Sequence, residues 1–280
     1  MTVTASIVVH KTPPEQLIKA LECLKESSVD KLYVIDNSPE NKLERFVESY
    51  DRLKYFHVEN NGFGAGHNIA ITAALNEGST YHLVMNADVW WEGDIIEKLR
   101  EYMDKNLDVG MVAPKVFYPD GDLQYSCRML PIPLDLFIKR FLPGKLSGRR
   151  MKRFLLEEHD HDQFLNCPYL LGSFLFFRTK ALQVCGMFDE RFFMYPEDID
   201  ITRRIHEKFK TIYWPEVSII HEHQQASKKN VKMFWIHFTN MIKYFNKWGW
   251  IYDSKRKIFN KKLMNSIERI KEGKTQKGRG

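Results

Sequence analysis

Four groups of residues carry types and spacings suited to chemistry. Asn86 and Asp88 follow directly on the apolar run Leu83-Val84-Met85, and two tryptophans come next. Asp36 closes the run KLYVID, and His221 closes the run VSII. Glu197-Asp198-Ile199-Asp200 sets three carboxylates within four residues, just after the apolar stretch FFMYP. A carboxylate and a histidine brought together suit Mn2+ or Mg2+, hard cations that take oxygen ligands and accept some imidazole. A carboxylate beside apolar residues is partly desolvated, which raises its pKa toward the range of a general base. Asp200 and Arg204 stand four apart with the acid first, the order of a good helical ion pair. Those two are assigned to structure, and Asp198 to chemistry.

Each feature alone has an ordinary explanation. Aspartates after strands are commonly turn or cap residues. Acids at a helix start are favoured by the helix dipole. A strand-terminal histidine is more often a packing residue than a ligand, and His223 competes with His221. The argument therefore turns on the elements that would position the four groups together.

The first hundred residues alternate strand and helix. SIVVH (6–10), KLYVID (31–36), LKYFHVEN (53–60) and YHLVMNAD (81–88) read as strands. Leu17, Leu21 and Leu24 recur at helical spacing after Pro13-Pro14, and Ile95, Leu99 and Met103 mark another helix. A short helix is expected from Glu44 to Tyr50. The glycine-rich stretch NNGFGAG (60–66) is expected as a loop leading into a helix from about Asn68 to Asn76. Such alternation implies an α/β fold with a mostly parallel sheet covered on both faces. Ligands then bind outside the carboxyl ends of the strands, where Asp36, Asn86 and Asp88 stand.

Beyond residue 109 the texture changes. GMVAPKVFYPDG (110–121) reads as an edge strand and turn, 131–165 as a mobile basic insertion, and CPYLLGSFLFFR (167–178) as buried strand. A helix from Thr179, a strand within 211–223 and helical structure over 230–272 are expected, with Phe234, Phe238, Met241, Ile242 and Phe245 on one face.

Composition narrows the function classes. The longest apolar run, YLLGSFLFF (169–177), is about half of the ~18–20 residues a membrane-spanning helix needs. The amino terminus has no basic signal-type region, so a cytoplasmic protein is expected. Cys23, Cys127, Cys167 and Cys185 are far apart and contain no CxxC pair, so buried free thiols are expected. Residues 241–280 hold 12 Lys/Arg against three acids, while the other 240 residues hold 30 against 33. A basic end of this kind is either solvated surface or a contact with an anionic membrane face. No aromatic-basic interleaving points to nucleic acid.

Taken in order, VID, NNGFGAGHN, MNAD, FDERFFMYPEDIDITRR and IIHEH resemble a family 2 glycosyltransferase of GT-A fold, in its bacterial rhamnosyltransferase-like branch. The resemblance covers roughly residues 4–225. It implies a GT-A domain over 1–228, with 229–280 as a helical, basic extension. It implies donor-binding roles for Asp36, Asn61, Gly62, Gly66, Asn68, Asn86 and Asp88, with Asp36 contacting the nucleotide base. It implies metal ligands at Asp88 and His221, and a catalytic base at Asp198. Asn86 stands where the stricter family pattern has Asp. Gly172, Glu197 and Trp91 are assigned to the acceptor side, core packing remaining the alternative for Trp91. The implied activity is inverting, metal-dependent transfer from a nucleotide-sugar donor, dTDP-rhamnose before a UDP-hexose. The implied acceptor is the hydroxyl of a glycan, carried on a membrane lipid. Two rivals remain: a nucleotidyltransferase, which lacks its glycine-rich basic signature at VVHKTPPEQL, and a catalytically silent nucleotide-sugar-binding protein on the same fold.

Overall fold

The computed structural model describes residues 1–47, 50–136, 144–222 and 231–277. Strands β1 (Val3–Val9), β2 (Lys31–Asp36), β3 (Leu53–His57) and β4 (Tyr81–Met85) alternate with helices α1 (Pro14–Lys25), α2 (Glu44–Val47) and α3 (Phe63–Asn76). β5 (Val89–Trp90), α4 (Ile95–Lys105), β6 (Val109–Phe117), β7 (Leu123–Gln124) and β8 (Cys127–Arg128) follow. Then come α5 (Gly144–Leu155), β9 (Leu165–Asn166), β10 (Tyr169–Leu170), β11 (Phe174–Arg178), α6 (Thr179–Cys185) and α7 (Glu197–His206). β12 (Lys210–His221), α8 (Val231–Trp248) and α9 (Ser254–Lys277) complete the described chain.

The main sheet runs β3-β2-β1-β4-β11-β6-β12-β5. β1 to β4 pair in parallel, as do β6 and β12, but β11 lies antiparallel between β4 and β6. The sheet is therefore mixed. Residues 109–117, expected at an edge, are central: β6 is flanked by β11 and β12. Their unbroken burial from Val109 to Pro114 is what a strand covered on both faces requires.

Side-chain alternation on β1 assigns the two faces. Val3, Ala5, Ile7 and Val9 pack with Leu17, Leu21 and Leu24 of α1 and with Leu99 and Met103 of α4. On the other face Val8 meets Ala70 and Ala74 of α3. Thr4 and Ser6 share that face and bind two buried histidines. The Ser6 hydroxyl lies 2.8 Å from both His67 Nδ1 and His82 Nε2, and Thr4 Oγ1 lies 2.8 Å from His82 Nδ1.

Helix α3 starts at Phe63 rather than near Asn68, so Gly64 and Gly66 are helical. Its first turn presses on the body of the protein. A Cβ on Gly64 would come within 2.9 Å of Phe188 Cβ, and one on Gly66 within 2.8 Å of Val8. The segment expected to be an insertion holds α5 and the buried Phe154, Leu156 and Leu165. Residues 137–143, with Lys139 and Arg140 of the basic cluster, lie outside the described residues, as do 223–230 with His223 and the expected boundary at 228. Cys127 and Cys167 are buried free thiols, whereas Cys23 and Cys185 are only half-buried.

The carboxy-terminal helices pack onto this body. Leu263 and Ile267 of α9 join the cluster that contains Ile201 and Ile205 of α7. The buried Arg203 guanidinium donates to both oxygens of Asp253 at 2.6 Å and lies 3.9 Å from the Trp248 ring centroid. A two-pronged ion pair at full burial is geometrically demanding and holds the α8–α9 turn against α7.

Burial pushes His82 down to about 3, and burial followed by the His82 charge pushes His67 well below the usual imidazole range. Both histidines stay neutral when folded, so below pH 6.5 the unfolded chain binds protons that the native state refuses. Stability is thus fully present above pH 6.5 and falls as the solution is acidified. These two groups contribute a loss of ~3 kcal/mol in unfolding free energy between pH 7.5 and 5.5. The Glu197 carboxyl, which burial raises, works in the opposite direction, so the two histidines are read singly by imidazole NMR shifts. Both rings are expected to keep neutral-imidazole shifts from pH 7.5 to 5.5, and a ring that titrates in this range contradicts neutral burial.

Candidate functional site

The apolar strand β4 runs into Asn86 and Asp88 because the chain immediately becomes strand again. β5 pairs antiparallel with the end of β12, placing Val89 opposite His221 and Trp90 opposite Ile220. The Glu222 N–H donates to the Asp88 carbonyl at 3.0 Å, and the Asn86 N–H donates to the Ser173 carbonyl at 3.0 Å. Backbone hydrogen bonds thus lace Asn86-Ala87-Asp88 to the segments carrying His221 and Gly172.

The His221 imidazole is buried and oriented at both nitrogens. Nδ1 donates to Gln124 Oε1 at 2.6 Å, which leaves Nε2 as the lone-pair nitrogen. That nitrogen lies 3.3 Å from Asp88 Oδ1 and 3.4 Å from Asn86 Nδ2. With Nδ1–H on Gln124, a neutral His221 ring presents its Nε2 lone pair to the Asp88 carboxylate, an arrangement that a cation between them stabilises. The 3.3 Å gap is close to the ~3 Å between adjacent ligands on ~2.1 Å arms, so the pair fits a Mg2+- or Mn2+-like ion. Among the described residues no group of three or more His, Cys, Asp or Glu side chains could hold a metal unaided. The remaining ligands would have to come from a bound anion and water.

The second constellation lies at the start of α7. Asp198 is buried, and its Oδ1 accepts the Ile199 N–H at 2.7 Å while Oδ2 accepts the Gly172 N–H at 3.1 Å. The approach is close at 172: a Cβ there would lie 3.0 Å from Asp198 Cβ, so Asp198 would have to give way by a few tenths of an ångström. Glu197 is the carboxyl group that burial raises well above the usual carboxylate range, with the adjacent Asp198 charge adding to the shift. Burial therefore favours its neutral form. Glu197 and Asp198 are both buried, so desolvation acts on the two carboxyls together. Tyr195, just upstream, has a φ of 94°, a strained value for a residue with a side chain.

Asp36 is fully buried at the end of β2, where Tyr55 Oη donates to it at 2.6 Å and the Ser38 N–H at 2.8 Å. Two strand spacings separate β2 from β4, about 10 Å, so Asp36 and Asp88 stand along one sheet edge.

Other expected donor or acceptor residues do different work. Asn68 clamps the 188–190 segment: its amide donates to the Phe188 carbonyl and Glu190 at 2.9 Å, and its Oδ1 accepts the Phe188 N–H at 3.0 Å. Trp91 belongs to the core, edge-on to Phe174, because β5 turns it inward; its acceptor-side assignment gives way to packing. Trp90 lies beneath the Lys19 ammonium. Gly62 has a φ of 106°, and a Cβ on it would come within 2.4 Å of the Phe193 carbonyl oxygen. The small residues at 62 and 66 are thus required by protein contacts, not only by a ligand. Asn61 is exposed beside them. Gln124 and Tyr55 were missed in the sequence. Each is a lone polar residue in a strand or loop, and only tertiary pairing brings it to His221 or Asp36.

A family model described as Glycosyl transferase family 2 matches residues 5–186. The chain belongs to glycosyl transferase family 2. The match covers the strands that carry Asp36, Asn86 and Asp88 and ends before Glu197 and His221. This family 2 chain is 24% identical over 231 residues to an N-acetylglucosaminyl-diphospho-decaprenol L-rhamnosyltransferase of Mycobacterium tuberculosis, covering 77% of this chain and 74% of the relative. It is 25% identical over 206 residues to rhamnosyltransferase WbbL of Escherichia coli, covering 71% and 75%. Among solved structures, GalNAc-T7 with UDP, GalNAc and Mn2+ superposes with a TM-score of 0.67 at 14% identity, over 88% of this chain and 48% of that one. The family 2 chain thus spans about half the length of that protein. The mannosyltransferase PcManGT from Pyrobaculum calidifontis, in complex with GDP-Man and Mn2+, superposes with a TM-score of 0.55 at 16% identity, over 86% and 64%. The fold is GT-A.

Gln124→Leu removes the acceptor that fixes the His221 tautomer. Mn2+ affinity is expected to fall ~10–100-fold by calorimetry, with the folded-state circular dichroism unchanged. Unaltered affinity would show that His221 binds no metal or needs no such support.

Proposed function

We propose that this family 2 chain moves a sugar from a nucleotide-sugar donor to a hydroxyl group of a lipid-carried glycan, with inversion at the transferred carbon. One observation carries the reading: strand pairing puts His221 beside Asp88, and the 172–173 segment, whose Ser173 carbonyl accepts the Asn86 N–H, donates its Gly172 N–H to Asp198. A single displacement needs a base on one side of the sugar and charge stabilisation on the other.

Asp198 is the base. It is fixed by two backbone N–H groups and takes the proton of the acceptor hydroxyl as that oxygen attacks the sugar. The upward shift of the Glu197 carboxyl favours its neutral form, which lowers the charge repulsion between the two adjacent carboxyls. Asp88 and His221 would hold a divalent ion, Mn2+ or Mg2+, which when bound would stabilise the charge gathering on the departing diphosphate. Asn86 adds an amide where a second carboxylate would add charge. Asp36 and Tyr55 stand about two strands away, at the reach of the nucleoside end of the donor.

The mycobacterial relative's name specifies rhamnosyl transfer to an N-acetylglucosaminyl-diphospho-decaprenol, and the Escherichia coli relative is also a rhamnosyltransferase. These names favour dTDP-rhamnose as donor, a UDP-hexose being the next choice, and a sugar on a polyprenyl diphosphate as acceptor. A role in cell-surface polysaccharide synthesis follows. Among the described residues no helix is long and apolar enough to cross a membrane. Peripheral binding at the cytoplasmic face would bring such an acceptor within reach.

Asp198→Asn tests the assignment. Rhamnosyl transfer from dTDP-rhamnose to N-acetylglucosaminyl-diphospho-prenol is expected to drop ~10²–10⁴-fold in kcat, while dTDP affinity with Mn2+ stays unchanged. Transfer at the parent rate contradicts the role of Asp198, and no transfer by the parent enzyme from dTDP-, UDP- or GDP-sugars contradicts the reaction class.

A further inference from the structure

Helix α8 is apolar on both sides. Its inner face buries Asn240, Tyr244 and Phe245. Its outer face carries Trp235, Phe238 and Ile242, which recur at helical spacing, with the exposed Thr239 between them and Lys243 and Asn246 beyond. Trp235 is 57% exposed. The face continues past the helix end into Trp250, whose indole N–H donates to Asn246 Oδ1 at 2.8 Å, and then into Ile251 and Tyr252, 76% and 87% exposed. Eleven residues at 1.5 Å each put about 16 Å of helix between Trp235 and Asn246, against which the Trp250 ring folds.

The charge on this segment is one-sided. From His223 to Tyr252 the sequence holds five lysines and no Asp or Glu. Lys247 is engaged with Asp189 and Asp200, and Lys243 donates to the Arg191 carbonyl. Lys228, Lys229 and Lys232 precede the aromatic cluster. Exposed tryptophan and tyrosine at the ends of an apolar stripe, with lysines and no acids, match the headgroup zone of an anionic bilayer. A protein partner would not require acids to be missing from the whole segment.

The same helix grips both flanks of the Glu197–Asp198 pair. Asn240 Nδ2 donates to the Met194 carbonyl at 3.0 Å, and the His237 ring lies 4.7 Å from that of Tyr195. Trp248 Nε1 donates to Asp200 at 2.8 Å. We infer that α8 and the turn 249–252 lie in the interface of an anionic membrane, holding the catalytic carboxylates at headgroup level. The inference rests on the reading of a lipid-carried acceptor and deepens it: the surface is α8, not the basic carboxy-terminal tail.

The full chain is sedimented with vesicles of phosphatidylcholine alone and of phosphatidylcholine mixed with phosphatidylglycerol. Binding to the anionic vesicles is expected, weaker by about tenfold or more in a Trp235→Ser/Trp250→Ser variant. Brominated lipid should quench parent tryptophan fluorescence, and the quenched fraction should vanish in Trp235→Phe/Trp250→Phe. Equal binding by parent and Ser variant overturns the inference. So does a concentration-dependent dimer split by Trp235→Ser, which would mean that a second copy covers this face. A thermal shift with dTDP and Mn2+, measured on the same variants, separates the two readings. Its loss in the parent would remove the proposed reaction, and its retention without vesicle binding would remove only the membrane surface.

Discussion

The site depends on one short pairing, β5 against the end of β12. Two residues of β5 are enough to return the chain after Asp88 and to set Val89 opposite His221. Without it, Asp88 would be a turn residue at the end of β4 and His221 a strand-end histidine, about three strand positions apart in the sheet order. The hydrogen bond from Glu222 to the Asp88 carbonyl then fixes the two side chains on the same edge. Sheet hydrogen bonds are rigid and cooperative, so a pair of side chains built this way is positioned before anything binds.

The antiparallel insertion of β11 extends the same logic. By lying between β4 and β6 it brings Ser173 beside Asn86, and hence Gly172 beside Asp198. The carboxylate on α7 is tied to the sheet through a single glycine N–H. A side chain at 172 would press its Cβ on that of Asp198 at 3.0 Å. Farther along α7, Asp200 meets Arg204, Lys247 and Trp248, and Arg203 meets Asp253. One helix therefore presents Asp198 at its first turn while its later turns anchor the carboxy-terminal helices.

Much of this was legible in the sequence. Strand ends at Asp36, Asn86 and His221, the helical pair Asp200–Arg204 and the alternation of elements follow from local patterns. The interior place of β6 was not legible, because continuous burial and an edge strand ended by a Pro-Asp-Gly turn look alike over 110–121. The start of α3 was displaced by its glycines, which read as loop although close packing on Phe188 and Val8 holds them in a helix. Asn68 looked like a ligand residue because nothing local shows that its amide is committed to a segment 120 positions away. Gln124 was invisible for the converse reason: its value lies wholly in orienting a histidine 97 residues later.

The central claim is that the facing acceptors of Asp88 and His221 share one divalent ion with the donor diphosphate. The most direct measurement is an anomalous-difference map from crystals grown with Mn2+ and dTDP, collected near the manganese edge. The account predicts a single peak bonded to Asp88 Oδ1 and His221 Nε2 at ~2.1 Å and in contact with the diphosphate oxygens. A dTDP molecule bound along the Asp36–Asp88 edge with no anomalous peak at that pair, or with the peak elsewhere, would contradict it.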